Sequence, residues 1–87
     1  MLNEVKFSTL NEAMDKIKVG NLISYKKNNI YEYIIVLTPP FCSNFKILGD
    51  NILIRGIVFN YYDLEAKILR QKIILDTENL NYYSLYI

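Results

Sequence analysis

The sequence contains no histidine and no tryptophan, and Cys42 is its only cysteine. Histidine is the commonest side chain for general base catalysis and metal binding, and a thiolate zinc site needs several cysteines. A single cysteine also cannot form a disulfide within the chain, which is typical of proteins in a reducing compartment. The sequence therefore predicts no catalytic residues, no metal site, no cofactor and a cytoplasmic location.

Long apolar runs and a charge imbalance are missing as well. The longest uninterrupted apolar run covers residues 34–37, far below the roughly 20 residues that span a bilayer, and the opening MLNEVKF does not resemble a signal peptide. Ten basic residues against nine acidic ones leave a net charge of +1. This balance argues against a nucleic-acid binder with a basic footprint. We expect no membrane contact and no nucleic-acid partner.

The composition is that of a folded chain. Hydrophobic residues make up 52% of its 87 residues and aromatic residues 14%, too apolar for a disordered segment. A chain of this length is the size of one domain, so we predict a single domain over residues 1–87. Because so apolar a small chain must either pack efficiently or share its core, we also expect a homo-oligomer.

The first structural signal is a helix that begins after Thr9. Thr9 and Glu12 have the spacing of a capping box, and Gly20 can adopt the left-handed conformation that ends a helix. One face of this helix is apolar, which predicts that it packs on the rest of the protein. The residues of that face are Leu10, Ala13, Met14 and Ile17.

Next comes a predicted hairpin. Residues 22–26 and 30–37 alternate with a period of two and are rich in β-branched and aromatic residues. Lys27-Asn28-Asn29 joins them, and Asn28-Asn29 is a plausible two-residue turn. The second strand is apolar on both faces. Such a strand usually lies centrally in a sheet, with one face covered by a helix and the other by more protein.

The remaining chain contains further strand signals. Proline residues predict a loop over residues 38–44, and residues 45–48 and 52–60 read as an antiparallel pair around a turn at residues 49–51. Gly56 indicates a bulge or a close backbone approach. Residues 63–75 could form a helix or a strand from Lys67, of which we prefer the strand, and residues 76–81 and 82–87 predict a helical turn and a last strand.

Together these elements predict an α+β fold, in which an N-terminal helix packs on a small antiparallel sheet of about five strands. Two lysines flank the hairpin turn and an arginine lies in the later strand pair, so they could form an anion clamp if folding brings them together. Tyrosine occurs eight times and suits both base stacking and protein interfaces. The candidate ligand-binding residues are Tyr25, Lys26, Lys27, Arg55, Tyr61 and Tyr83.

Two segments resemble a known family. The pattern Phe7, Ala13, Ile17, Gly20, followed by a basic strand and an aromatic strand, is similar to the opening of the phage Thoeris anti-defence proteins that act as sponges for cyclic ADP-ribose signals, and Asp76-Thr77-Glu78-x-Leu80 is similar to their closing segment. Tyr25 and Tyr83 stand near the positions where that family carries tryptophan. The resemblance covers about half of the chain. It implies an oligomer that binds a cyclic nucleotide between subunits without hydrolysing it.

Three functions follow as hypotheses. The first is a non-enzymatic phage protein that sequesters a cyclic nucleotide immune signal in the host cytoplasm. The second is a small protein–protein inhibitor or adaptor, such as an anti-CRISPR or other antagonist of a host defence protein, which acts through a Tyr/Ile-rich surface. The third is a bacterial housekeeping domain.

Overall fold

A computed structural model describes residues 2–45, 49–60 and 69–87. Within them the chain forms seven strands, one α-helix and one short 3₁₀ helix at Leu80–Tyr82. The elements in chain order are β1 (Glu4–Lys6), α1 (Leu10–Lys16), β2 (Leu22–Lys27), β3 (Ile30–Val36), β4 (Phe41–Phe45), β5 (Gly49–Asn60), β6 (Leu69–Leu75) and β7 (Tyr83–Tyr86). None of the helices in these residues has the length and apolar character to cross a bilayer.

The predicted fold class is wrong. The strands form a curled antiparallel half-barrel of seven strands, not a sheet of about five strands covered by a helix. Neighbouring strands follow the order β1, β7, β2, β3, β5, and β5 then pairs with both β4 and β6. The helix α1 has only seven residues and occupies the hollow of a sheet that curls around it.

The loop predicted at residues 38–44 is largely a strand, because the two prolines bend the chain without ending its pairing. Val36 pairs with Gly56, and Phe41 pairs with Leu53, so residues 37–40 stand opposite only Ile54 and Arg55. Two extra residues on one strand make a bulge. β4 therefore continues β3 along the same side of β5.

The bulge is held by hydrogen bonds to Arg55. The Leu37 N–H donates to the Arg55 carbonyl oxygen at 2.8 Å, and the Arg55 N–H donates to Thr38 Oγ1 at 2.9 Å. A side-chain hydroxyl thus replaces the ladder acceptor that the bulge removes. The backbone of Arg55 is fixed from this side of the sheet.

The turn predicted at residues 49–51 is also misplaced. Gly49, Asp50 and Asn51 pair with Phe45, Asn44 and Ser43 as the first residues of β5. Residues 46–48, between Phe45 and Gly49, lie outside the described ones. Turn composition alone could not show that a long strand β5 begins this early, because the β4 ladder overrides the local preference of these residues.

Other predictions are confirmed. Asn28 takes a positive φ of 55° in the turn between β2 and β3, β3 lies centrally between β2 and β5, and β6 makes residues 69–75 a strand. The part of the ambiguous segment before Leu69 lies outside the described residues. The C-terminal segment forms a 3₁₀ turn and the last strand β7.

The helix start is also as predicted. The Glu12 N–H donates to Thr9 Oγ1 at 3.1 Å, and the Ser8 N–H donates to Glu12 Oε2 at 3.1 Å. Glu12 Oε1 accepts from Lys16 Nζ at 2.9 Å; this bond, followed by the Ser8 bond, lowers the pKa of the Glu12 carboxyl. The buried side chains Ala13 and Ile17 then attach the helix to the sheet.

Successive residues of each strand point to opposite faces of the sheet. The face in the hollow, here called the inner face, carries the core together with Phe7, α1 and Leu80. Its fully buried strand residues include Ile23, Val36, Ile52, Ile54, Leu75 and Leu85. The opposite, convex face is called the outer face.

Candidate functional site

The outer face carries a patch of apolar and aromatic side chains on its central strands, here called the outer patch: Leu22, Tyr33, Ile35, Ile57, Phe59 and Tyr86. The register aligns Tyr86, Leu22, Ile35 and Ile57 in one row and Tyr33 beside Phe59 in the next. Ile35 is 37% exposed, whereas Ile34, its neighbour on the inner face, is 2% exposed. The second covering layer expected for β3 is therefore not present over Ile35.

The rings of the outer patch contact one another. Tyr33 and Phe59 stack with centroids 5.7 Å apart, and Tyr33 lies 6.5 Å from Tyr86. The Tyr86 hydroxyl also lies 3.1 Å from the buried Ser24 Oγ. These contacts hold the rings in a fixed arrangement, which lowers the entropy lost when a partner binds.

Lys26 lies at one end of the outer patch. Burial opposes its charge, but the Tyr86 hydroxyl and the Glu4 carboxylate outweigh that effect and raise the pKa of the Lys26 ammonium. Its proximity to Tyr86 and Glu4 places the ammonium beside the aromatic end of the patch.

The other end of the outer patch carries a cleft of about 630 Å³ that we call the cation cleft. Arg55, Arg70 and Lys72 line it together with Leu37, Thr38 and Gln71. The three cations are exposed, and no acidic side chain belongs to this lining. Further apolar side chains on the outer face, Phe41, Leu53 and Ile74, lie beyond the cation cleft; Phe41 is 64% exposed and Ile74 41% exposed.

The candidate residues named from the sequence fall into separate groups. Tyr25 and Tyr83 are cross-strand partners with ring centroids 4.9 Å apart, and Tyr82 lies 6.1 Å from Tyr25. Lys27 Nζ lies 5.2 Å from the Tyr82 centroid, a cation–π distance. Tyr25, Tyr83 and Lys27 thus come together on the inner face, at the C-terminal end of β2.

The two other cations lie elsewhere. Lys26 points to the outer face, opposite to Lys27, and Arg55 lies on the outer face six positions further along, or about 20 Å at the usual rise of a strand. Lys26, Lys27 and Arg55 therefore do not converge on one anion. Tyr61 lies outside the described residues.

Tyr83 is 7% exposed, and this burial, followed by the negative charge of nearby groups, raises the pKa of its phenol above its ordinary value. A group that holds its proton more tightly when folded stabilises the fold below its unfolded pKa, near 10 for tyrosine, and that contribution is lost as the pH rises further. We expect Tyr83→Phe to reduce the loss of stability between pH 9 and pH 11.5. Urea unfolding at both pH values measures this, and an unchanged difference between them would contradict it.

The described residues contain no cluster of potential metal ligands. No three His, Cys, Asp or Glu side chains within residues 2–45, 49–60 and 69–87 could hold a metal ion, and Cys42 is exposed and free. The arrangement instead suits binding by surface contact, with an apolar centre and cations on the same face. Sequence reasoning found Arg55 and Lys26 but not their neighbours on this face.

Arg70, Lys72, Tyr33 and Phe59 were missed as site residues. The sequence did contain an indication of the outer patch. Apolar residues occur on both faces of β3, and this pattern predicted that the outer face would be covered. The sequence contained no such indication for Arg70 and Lys72. Only the register of β5 with β6 shows that they lie beside Arg55. Comparison with known proteins finds no matching family, no matching curated protein and no matching solved structure.

Proposed function

We propose that this protein acts by binding another protein through its outer face, as an inhibitor or adaptor and not as an enzyme. The observation that carries the proposal is a row of apolar side chains across the central strands, in which Ile35 is exposed and Leu22, Ile57 and Tyr86 are half-buried, where an interior sheet would be covered. Exposed patches of this kind mark interaction surfaces, and aromatic residues are enriched at the centres of such interfaces.

A matched pair of variants tests the proposal. Ile35→Gln/Ile74→Gln makes two exposed positions of the outer face polar, and Val19→Gln/Ile30→Gln changes two exposed apolar residues away from that face, at 56% and 50% exposure. Each protein is used as bait in a lysate of its native cell, and retained proteins are then purified and titrated by calorimetry. A functional partner should bind the parent and the control and lose at least tenfold in affinity for Ile35→Gln/Ile74→Gln.

Two results would overturn the proposal. One is a purified partner that binds Ile35→Gln/Ile74→Gln as tightly as the parent. The other is the recovery of no partner at all from the native lysate.

Sequestration of a cyclic nucleotide stays a prediction from the sequence resemblance. Support for it comes from Tyr25, Tyr82, Tyr83 and Lys27, which combine rings with a cation at one end of the inner face. Calorimetry with cyclic ADP-ribose and cyclic dinucleotides tests it, with Lys27→Gln as the variant. Heat of binding that is lost in Lys27→Gln would favour sequestration, and no heat with the parent would exclude it for those ligands.

The homo-oligomer expected from composition also stays a prediction. On the outer face, Lys26, Arg55, Arg70 and Lys72 would confront the same cations of a second copy, so self-association through this face is electrostatically unfavourable. Light scattering over a range of protein concentrations measures the mass directly.

A further inference from the structure

The cation cleft brings like charges together on adjacent strands. Arg55 on β5 and Lys72 on β6 are direct cross-strand partners. Arg70, opposite Ile57 and two residues before Lys72 on β6, is the diagonal neighbour of Arg55 on the same face. Side chains at directly opposite positions have Cβ atoms about 5 Å apart, and like charges there are destabilising. The fold therefore holds a repulsive arrangement that it does not need for packing.

Among the described residues no ion pair offsets this repulsion. Ion pairs within the described parts of the chain join Lys6 to Glu4 and Lys16 to Glu12, and neither involves Arg55, Arg70 or Lys72. All three cations are exposed and line the same opening of about 630 Å³. They are thus available to a group from outside the protein.

Protection of the sheet edge explains only part of the arrangement. Charged side chains on an edge strand prevent further strands from pairing. Within the described residues β6 pairs only with β5, and this edge position accounts for Arg70 and Lys72. Arg55, however, lies in the interior of β5, where it pairs with Lys72 of β6 on one side and hydrogen-bonds to Leu37 and Thr38 of the bulge on the other. A cation at this interior position, with its backbone fixed by the bulge at Thr38, points to recognition of an anion.

We propose that the cation cleft binds an acidic segment, rich in Asp and Glu, of the protein that docks on the outer face. The inference rests on the proposed function and specifies the charge of the partner. Guanidinium groups bind carboxylates in bidentate geometry, and the apolar side chains on both sides of the cleft suit a protein surface. The cleft lining contains no aromatic ring for a base to stack on, so an acidic polypeptide fits better than a nucleic acid.

The charge distribution of the described residues fits this assignment. Lys6, Lys26, Arg55, Arg70 and Lys72 lie on the outer face, where Glu4 at the edge is the one acidic side chain among the described residues. Glu12 and Asp15 belong to α1, Glu32 lies at an inner-face position, and Asp76 and Glu78 belong to the segment before β7. Among the described side chains the outer face is therefore basic although the net charge of the chain is only +1, and this face would attract an acidic surface over a Debye length of about 10 Å at 0.1 M salt.

The test uses hexaglutamate as the probe, with hexaglutamine and the oligonucleotide dT6 as comparisons. Arg55→Gln/Lys72→Gln removes two cations of the cleft, and Lys16→Gln/Lys18→Gln removes the same charge from α1 and the residues after it. Calorimetry and amide shifts in NMR should show that hexaglutamate binds the parent and the control at 20 mM salt. We expect roughly tenfold weaker binding to Arg55→Gln/Lys72→Gln, and no binding of hexaglutamine.

A stability measurement separates recognition from a structural role. Because Arg55 and Lys72 repel, Arg55→Gln should leave the thermal midpoint at 20 mM salt unchanged or raise it, whereas loss of a structural contact would lower it. The proposal is overturned if Arg55→Gln lowers the midpoint, or if hexaglutamate binds both double variants equally or neither the variants nor the parent. It is also overturned if dT6 binds more tightly than hexaglutamate, which would assign the cleft to nucleic acid.

These outcomes are distinguishable from failure of the proposed function. A natural partner that is lost with Ile35→Gln/Ile74→Gln but kept by Arg55→Gln/Lys72→Gln would support the outer face as the interface and reject an acidic partner segment. If the partner is lost with both double variants, the result supports both the interface on the outer face and the acidic segment of the partner.

Discussion

Replacing Gly56 with alanine is expected to lower the free energy of unfolding by about 3 kcal/mol, at the upper end of what overpacking causes. A Cβ atom at this position would lie 2.5 Å from Ile34 Cγ2 and 2.9 Å from the Ile35 carbonyl oxygen. The carbonyl belongs to the backbone of β3 and cannot move without opening the pairing of β3 with β5. Urea unfolding at 25 °C followed by circular dichroism measures the loss.

Gly20→Ala is the matched control for this prediction. Gly20 has a φ of +88° and no atom within 4 Å of an added Cβ, so its replacement introduces backbone strain of roughly 1–2 kcal/mol but no collision. We therefore expect Gly56→Ala to lower the free energy of unfolding more than Gly20→Ala does. An effect of Gly56→Ala below 0.5 kcal/mol, or a gain in stability, would show that β3 and β5 are not packed this closely.

Replacing Ile17 with alanine is expected to cost about 3 kcal/mol, within the range for truncating a buried isoleucine. Ile17 is fully buried directly after α1, and its N–H donates to the Ala13 carbonyl oxygen at 3.0 Å. A helix of seven residues is too short to be stable alone, so α1 depends on this contact with the inner face. Urea unfolding measures the total cost, and amide exchange over residues 10–16 measures the detachment of the helix.

Val19→Ala is the control for Ile17, since Val19 is 56% exposed two residues later. Its effect should stay within about 0.5 kcal/mol, as for most surface substitutions. A cost of Ile17→Ala below 1 kcal/mol, or unchanged exchange in α1, would mean that other contacts hold the helix on the sheet.

Local signals in the sequence were sufficient for several elements. Thr9 and Glu12 predicted the helix start because a capping box is completed within four residues, and Asn28 predicted the first hairpin turn because few residues tolerate a positive φ. Gly56 predicted a bulge or a close backbone approach, because a residue without a side chain in a strand usually marks one of these, and the structure shows the close approach. Each of these signals depends only on adjacent residues.

Predictions that depended on distant partners were less successful. Pro39 and Pro40 indicated a loop. After the two extra residues of the bulge, however, the chain pairs with β5 again as β4. Gly49, Asp50 and Asn51 indicated a turn, yet they pair within a ladder. Proline and turn residues report the preference of a short segment, and a ladder with a distant strand can outweigh that preference.

The sequence by itself determined the absence of histidine chemistry, the lack of a disulfide within the chain, the capped helix and the apolar character of both faces of β3. The tertiary structure alone decided which side chains share the outer face. Arg55, Arg70 and Lys72 become neighbours through the register of β5 with β6, and the overall charge balance hides their clustering. Strand pairing joins residues that are far apart in sequence, and a count of charges carries no information about where the pairing puts them.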